Sequence, residues 1–188
     1  DIYLGYYEGD NLFPVRGREC SSQQMPVIKE RFPTYEEFGS ATVTDVLRDA
    51  LQNAVHKKAT TFATCVAWNN GGSFDVVELP NQAQISNTNG IEVVDLNKDG
   101  RKDLVLAGNY FDREVETVRS DAGTGLVLLG STDRNFIALS SGQSGLCANR
   151  DVRDISLVEL SNNELGLLIV SNSDSLQLFT IKNSVVQP

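Results

Sequence analysis

The sequence predicts a mainly β protein. The expected form is a partial β-propeller of about three four-stranded antiparallel blades with incomplete outer blades, and a helical segment inserted near residues 34–56. Three observations carry this expectation: a run of short strand patterns broken by Gly, Asn and Asp, one apolar stripe at helical spacing, and a recurrence of segments about sixty residues apart.

Strand patterns run through Ile2 to Tyr7, Thr61 to Trp68, Phe74 to Leu79 and Ile91 to Asp95. They continue through Leu104 to Asn109, Gly125 to Gly130, Phe136 to Ser140, Ile155 to Leu160, Leu165 to Val170 and Leu176 to Ile181. Runs of this length, rich in Val, Ile, Leu and Phe and bounded by turn residues, suit a sheet-built domain.

The stretch from Thr34 to His56 reads differently. Thr34-Tyr35-Glu36-Glu37 has the form of a capping box, in which the Thr hydroxyl and the Glu carboxylate each satisfy an orphan N–H of a first helical turn. Val43, Val46, Leu47, Ala50, Leu51, Ala54 and Val55 then recur at steps of three and four, one apolar face of a helix expected to pack on the sheet. Gly39 is placed to divide two helices. Residues 10–56 thus form a helix-bearing insertion. It sits in a chain 1–188 that is one propeller-like domain or a fragment of a larger propeller.

Ile91 to Asn97 line up with Ile155 to Ser161, an offset of 64 residues, and Asn69 to Phe74 line up with Ser131 to Phe136, an offset of 62. Asp1-Ile2-Tyr3-Leu4 echoes Asp103-Leu104-Val105-Leu106. Such offsets measure out a unit of about four strands, the size of a propeller blade. Ile91 to Ser140 make a complete blade and Ile155 to Ile181 make three strands of another. The first blade would join Ile2 to Tyr7 with the strands after the insertion. Asp1 would be the ninth residue of a preceding loop, and Asn183 to Pro188 are too short and polar for a fourth strand. The chain is therefore expected not to close a ring by itself, and its open sheet edges either invite self-association or are covered in part by the helical insertion.

The chemistry lies in Asp95-Leu96-Asn97-Lys98-Asp99-Gly100-Arg101-Lys102-Asp103. Oxygen-bearing side chains stand at positions 1, 3, 5 and 9, the Arg101 carbonyl stands at position 7, and Gly100 permits a sharp turn. Calcium takes six to eight oxygens at about 2.3–2.6 Å from ligands that wrap around it, so Asp95, Asn97, Asp99, Arg101 and Asp103 are the candidate metal ligands and Ca2+ the candidate cofactor. An EF-hand needs a bidentate Glu at position 12 and flanking helices; here that position is Leu106 and the flanks are strand-like and apolar. A metal-free Asx-rich turn is the competing reading. The matching loop Glu159 to Gly166 has lost the carboxylate ladder, and no calcium is expected there.

Gly90 to Gly108 resembles the FG-GAP or VCBS repeat of integrin-like β-propellers. Phe13 to Pro26 and Arg119 to Leu126 extend the likeness to the C-terminal part of bacterial VCBS repeat proteins of the ASPIC/UnbV-associated kind. The resemblance implies a secreted or envelope-exposed propeller, in the periplasm or on the cell surface, that recognises a protein or carbohydrate with calcium stiffening its loops.

Composition bounds the function. Twenty-five acidic residues oppose 16 basic ones for a net charge of −9, which disfavours nucleic acid as a partner. No apolar run is long enough for a membrane span. His56 is the only histidine and no G-x-S-x-G elbow accompanies it, so neither a Ser-His-Asp triad nor a His/Cys zinc site is expected. Cys65 lies in an apolar run and is expected to be buried and inert, with a bridge from Cys20 left open. The run Arg113, Glu114, Glu116, Arg119 and Asp121 is either a solvated salt-bridge network or a ligand-facing loop. Trp68, Tyr110 and Phe111 are either core residues or sugar-stacking aromatics. The reading reached is a calcium-binding module for protein or glycan recognition and more plausibly not an enzyme. The alternatives are a polysaccharide-acting enzyme completed by other blades, or a purely structural module.

Overall fold

The computed structural model describes residues 2–115, 117–161 and 164–182. The chain is mainly β, in several small antiparallel sheets with no closed barrel, and divides into two compact units, 1–60 and 61–188.

In the first unit, β1 (Gly5–Glu8) pairs with β2 (Asn11–Pro14) in a hairpin turned at Gly9. Four short helices follow: α1 (Arg18–Gln24), α2 (Val27–Arg31), α3 (Tyr35–Gly39) and α4 (Val43–Leu47). The Thr34–Glu37 capping box is present, and α3 ends at Gly39. A second box, Thr42 with Asp45, starts α4. The apolar stripe is only half realised. Val43 and Val46 are buried, and Leu47 packs on the cluster of Ile28, Phe38, Ala41 and Val46. Arg48 then takes φ 48°, which ends α4 and begins a tighter 3-10 stretch, Arg48–Asn53. Beyond that break the periodicity points to nothing, and Val55 is 86% exposed. The stripe packs on neighbouring helices, with Phe32 meeting Phe38 edge-on at 5.7 Å, rather than on a broad sheet.

The second unit holds three sheets. β3 (Cys65–Asn69) and β4 (Phe74–Glu78) form a hairpin. β5 (Thr88–Val94), β6 (Asp103–Gly108), β7 (Leu126–Gly130) and β8 (Phe136–Leu139) form a four-stranded antiparallel meander in sequence order. β9 (Val152–Glu159), β10 (Leu165–Ser171) and β11 (Gln177–Ile181) form a three-stranded one, and a short α5 (Ser141–Ser144) follows β8. These last two sheets match the strands expected for Ile91 to Ser140 and Ile155 to Ile181. The expected first blade does not form: β1 pairs with Asn11–Pro14, a strand the sequence pattern did not reveal, while β3 and β4 pair with one another. Ile2 to Leu4 lie outside any strand. Asp1 and the tail 183–188 fall outside the described residues.

Every residue of β6 is buried, which suits a strand in a sheet covered on both faces. One face contributes Val105 and Ala107 to a core shared with Val152, Ile155, Leu167 and Ile169 of the β9–β11 sheet. The other contributes Leu104 and Leu106 to a cluster with Leu79, Ala83 and Leu128, against which Val66 and Phe136 pack. Trp68 stacks on Phe136 at 6.2 Å and is thus a packing residue. The meander touches the next sheet through β5 and β9. Gly90 makes this approach feasible, because a Cβ there would lie 2.8 Å from the Ile155 nitrogen. Across the same seam the Glu92 carboxylate accepts from Leu157 N–H at 3.0 Å, and the Asn89 amide donates to the Val152 carbonyl at 2.7 Å. β5 departs from expectation in one respect: Ile91 and Val93 face solvent rather than the core. Cys65 is exposed too, because it sits on the outer face of the β3–β4 hairpin, and all three cysteines are free thiols.

Val46 and Val55 stand on the two sides of the break at Arg48 and should respond differently to a charge. Val46→Asp, which buries an unpaired carboxylate, should cost at least about 3 kcal/mol in urea unfolding. Val55→Asp should stay within about 0.5 kcal/mol of the parent.

Candidate functional site: the acidic turn between β5 and β6

The nine-residue loop links two adjacent antiparallel strands paired from Val94 opposite Asp103 onward. Its turn is built from backbone geometry that most side chains avoid: Lys98 has φ 59° and Gly100 φ 84°. Glycine enters the left-handed region without penalty, and nothing else crowds Gly100, so its conformation rather than space explains the residue.

The acidic side chains organise the turn by accepting its N–H groups. Asp95 accepts from Asp99 N–H at 3.1 Å and from Gly100 N–H at 2.9 Å, one on each oxygen. Asn97 Oδ1 accepts from Asp99 N–H at 3.2 Å, and the Asn97 amide donates to Asp99 Oδ2 at 2.9 Å. Asp99 Oδ1 accepts from Arg101 N–H at 2.8 Å, while the Arg101 guanidinium pairs with Asp99 Oδ2 at 2.5 Å. The same guanidinium donates through Nε to the Gly130 carbonyl at 2.9 Å.

Asp103 is the anchor. It is 0% exposed, and both its oxygens are used: Oδ2 accepts from Leu96 N–H at 2.8 Å and Oδ1 from Gly130 N–H at 2.8 Å. A buried carboxylate in this position is paid for by charge-assisted hydrogen bonds to amides. Asp103 thereby closes the loop on itself and ties it to the far end of β7.

The hydrogen bond from Arg101 N–H is the largest influence on Asp99; with the Asn97 amide and the Arg101 charge it holds this carboxyl below its ordinary range, against a smaller opposing effect of desolvation.

The donor set has the chemistry of a hard-cation site. Asp95, Asn97, Asp99, Asp103 and the Arg101 carbonyl are all oxygen ligands, and a carboxylate that accepts one N–H per oxygen keeps lone pairs for a metal. The arrangement is nonetheless held closed by its own amides and by Arg101. Among the described residues no group of three or more His, Cys, Asp or Glu side chains converges in a way that could hold a metal ion. Asp99 faces Arg101, and Asp103 faces two backbone amides. The residues fit calcium in kind, and filling the site requires Arg101 to release Asp99.

The remaining candidates lie elsewhere. Arg113, Tyr110, Phe111, Arg119 and Asp121 follow β6 at its other end, with Arg119 paired to Asp121 at 2.8 Å and stacked over Phe111 at 4.2 Å. Glu116 lies outside the described residues, as do Asn162 and Asn163 of the loop after β9. His56 is exposed and belongs to the other unit. Sequence reasoning missed Asn109 and Asp151, two buried polar residues beyond β6 and before β9. An Asn that ends an apolar run, as Asn109 does after Leu104 to Gly108, was the available signal.

Asp103→Ala should remove the acceptor of two backbone N–H groups and cost on the order of 2–4 kcal/mol in denaturant unfolding. Asp103→Asn, which keeps one acceptor oxygen, should cost less. For Asp99 the sign follows from its lowered folded-state pKa: its contribution to stability is present above the ordinary carboxylate pKa and is lost as pH falls through the folded value. Stability measured against pH should show this acid-side loss in the wild type and a shallower one in Asp99→Asn.

No family model, curated protein or solved structure matches the chain.

Proposed function

We propose that residues 61–188 are part of a β-propeller of the FG-GAP/VCBS kind, a module for protein or glycan recognition stiffened by calcium in the Asp95–Asp103 turn. The observation that carries this reading is the all-oxygen ladder of Asp95, Asn97, Asp99 and Asp103 on a turn that leads into a fully buried strand. Two features of the sheets support it. The β5–β8 meander and the β9–β11 sheet run up and down in sequence order and meet through their first strands, β5 and β9, as neighbouring blades do. The recurring segments 69–74 and 131–136 both serve as hairpin turns, and Arg134 of the second donates to Asn70 of the first at 2.9 Å.

Calcium, when bound, supplies positive charge that neutralises the clustered carboxylates and cross-links the turn. Asp95, Asn97, Asp99 and Asp103 would hold it with the Arg101 carbonyl. Asp103 would carry the stiffening beyond the loop, because it already grips the Gly130 amide. A loop this exposed suits the weak end of protein calcium affinities, Kd about 10⁻⁴–10⁻³ M, which loads outside the cytoplasm. We therefore place the module in a secreted or envelope setting. No helix among the described residues is long and apolar enough to cross a membrane. The outer strands of the two sheets, β8 and β11, each pair with one neighbour only, and their edges are the surfaces through which a second chain would add.

One observation favours the structural alternative: both oxygens of Asp103 are engaged by backbone amides, those of Leu96 and Gly130. The test separates the two. Calcium should raise the melting temperature in proportion to RT ln(1 + [L]/Kd), and Asp99→Ala should remove most of that gain. Arg101→Gln should bind calcium more tightly than the parent, because the competing guanidinium is gone and the ligating carbonyl remains. A melting temperature indifferent to millimolar calcium in all three proteins would leave a metal-free turn.

A further inference from the structure

Within residues 61–188 the sheets stack face on face, and the same kind of contact occurs twice. Val66 of the β3–β4 hairpin packs on the cluster of Leu104, Leu106 and Leu128, and Trp68 stacks on Phe136 beside it. The opposite face of the meander, with Val105, Ala107 and Val127, packs on Leu167 and Ile169 of β10.

Strand pairing shows which residues of the two larger sheets are equivalent. Ile91 stands opposite Leu106, and Ile155, 64 residues later in the recurrence, stands opposite Ile169. In the same register Leu168 holds the place of Val105 and Val170 that of Ala107, while Leu178, opposite Leu168, holds that of Val127. Val105, Ala107 and Val127 are buried, yet Val170 is 38% and Leu178 55% exposed. Gly166 gathers this outer face into one patch: a Cβ there would lie 3.1 Å from each of Val158, Leu160 and Leu178. The hairpin carries an uncovered face of the other kind. Phe74 and Val76 recur 62 residues on as Phe136 and Ala138, which pack on the Leu104 cluster, but Phe74 and Val76 themselves are 65% and 58% exposed.

We infer that the outer face of the β9–β11 sheet, with Val158, Leu168, Val170 and Leu178, is a docking surface for a second copy of this chain, which presents Phe74 and Val76. The two uncovered faces are of the two kinds that meet at both internal contacts, so a neighbouring copy continues the stacking already present inside each one. The contact is head-to-tail, using different surfaces on the two partners. It joins faces and not strand edges: β10 has a neighbour on each side, so Val170 offers no edge. It uses neither the acidic turn nor calcium. Three strands about 4.8 Å apart and about five residues long present a face of roughly 15 by 17 Å. That is well below the roughly 800 Å² per partner of a standard interface, so the association is weak. Each copy carries a net charge of −9, and the copies therefore repel one another until salt screens them.

The test is sedimentation equilibrium of the whole chain from about 10 µM to about 1 mM, the weak end of protein association. The parent should associate with rising concentration, and more strongly in high salt. Val170→Lys and Val76→Glu should each weaken self-association at least tenfold with the melting temperature unchanged. Mixing these two variants should restore one interface, the intact Phe74 face of the first on the intact Leu168 face of the second. The product is a 1:1 dimer with the parent's affinity and nothing larger. Leu178→Lys with Phe74→Glu repeats the design should either of the first pair lower the melting temperature. A parent that stays monomeric throughout overturns the proposal, as does association that salt weakens or that the variants leave intact. Variants that fail to complement one another overturn it too, since edge pairing or a two-fold contact gives that result.

Discussion

The second unit depends on one buried strand bracketed by two buried polar side chains. β6 is buried along its whole length, and Asp103 and Asn109 stand at its two ends with no exposure. A strand packed on both faces gains apolar burial, but its ends must hand their backbone partners to something other than water. Asp103 does this at the start, on the amides of Leu96 and Gly130. Asn109 does it at the finish: its oxygen accepts from Gly123 N–H at 2.9 Å and the Ser86 hydroxyl at 2.7 Å, and its amide donates to the carbonyls of Gly123 and Arg150 at 2.9 and 3.0 Å. All of its side-chain bonds reach other segments. Asn109 itself takes φ 88°, a conformation asparagine tolerates better than most residues. The two residues thus fix where β6 begins and ends, and with it the register of β5 and β7.

The first unit is held by a different logic. Its helices are too short for intrinsic helical stability, so caps and packing must supply it. Thr34 with Glu37 and Thr42 with Asp45 each make both reciprocal bonds of a capping box. Between them Phe38 and Ala41 are buried on the same small cluster as Ile28 and Val46. Arg31 reaches across and donates to the Val46 carbonyl at 3.0 Å, satisfying a group near the end of α4 that has no continuing helix. Local chemistry, repeated every few residues, replaces the long-range pairing used in 61–188.

These two regimes explain what could be read in advance. The strands of 88–139 and 152–181 are legible because short apolar runs, flanking turn residues and the recurrence about sixty residues apart all agree on one topology. The Thr34 box was legible for the same reason: it is a local rule obeyed locally. The long helical stripe was misread past Leu47 because periodicity in Ala50, Leu51, Ala54 and Val55 carries no information on whether the backbone continues through Arg48. β2 is not legible because four residues ending in proline give too little pattern, and it pairs with β1 across the next turn rather than with a strand far down the chain. In the candidate site the residue types of the ladder were legible, but their division of labour was not. That Asp103 serves amides while Asp99 serves Arg101 depends on Gly130, a residue supplied by the end of a different strand.

The two ends of β6 also decide whether its two polar regions act together. Seven residues of extended chain, from Asp103 to the start of the Tyr110 loop, span about 20 Å at roughly 3.3 Å per residue. That exceeds the screening length of about 8 Å at physiological ionic strength, so charge entering the acidic turn is felt only weakly at Asp151 and Arg153. Mechanical coupling is limited as well. The intervening residues Leu104 to Gly108 are buried on both faces, and Asp103 and Asn109 hold each end with hydrogen bonds to different segments. A bistable element is what transmits a local event across such a distance, and a strand buried on both faces and tied at both ends is a poor candidate for one. The strand that makes both regions well ordered is therefore the reason they are energetically separate: the turn governs rigidity at one end, while the chemistry around Tyr110 answers only to its own residues.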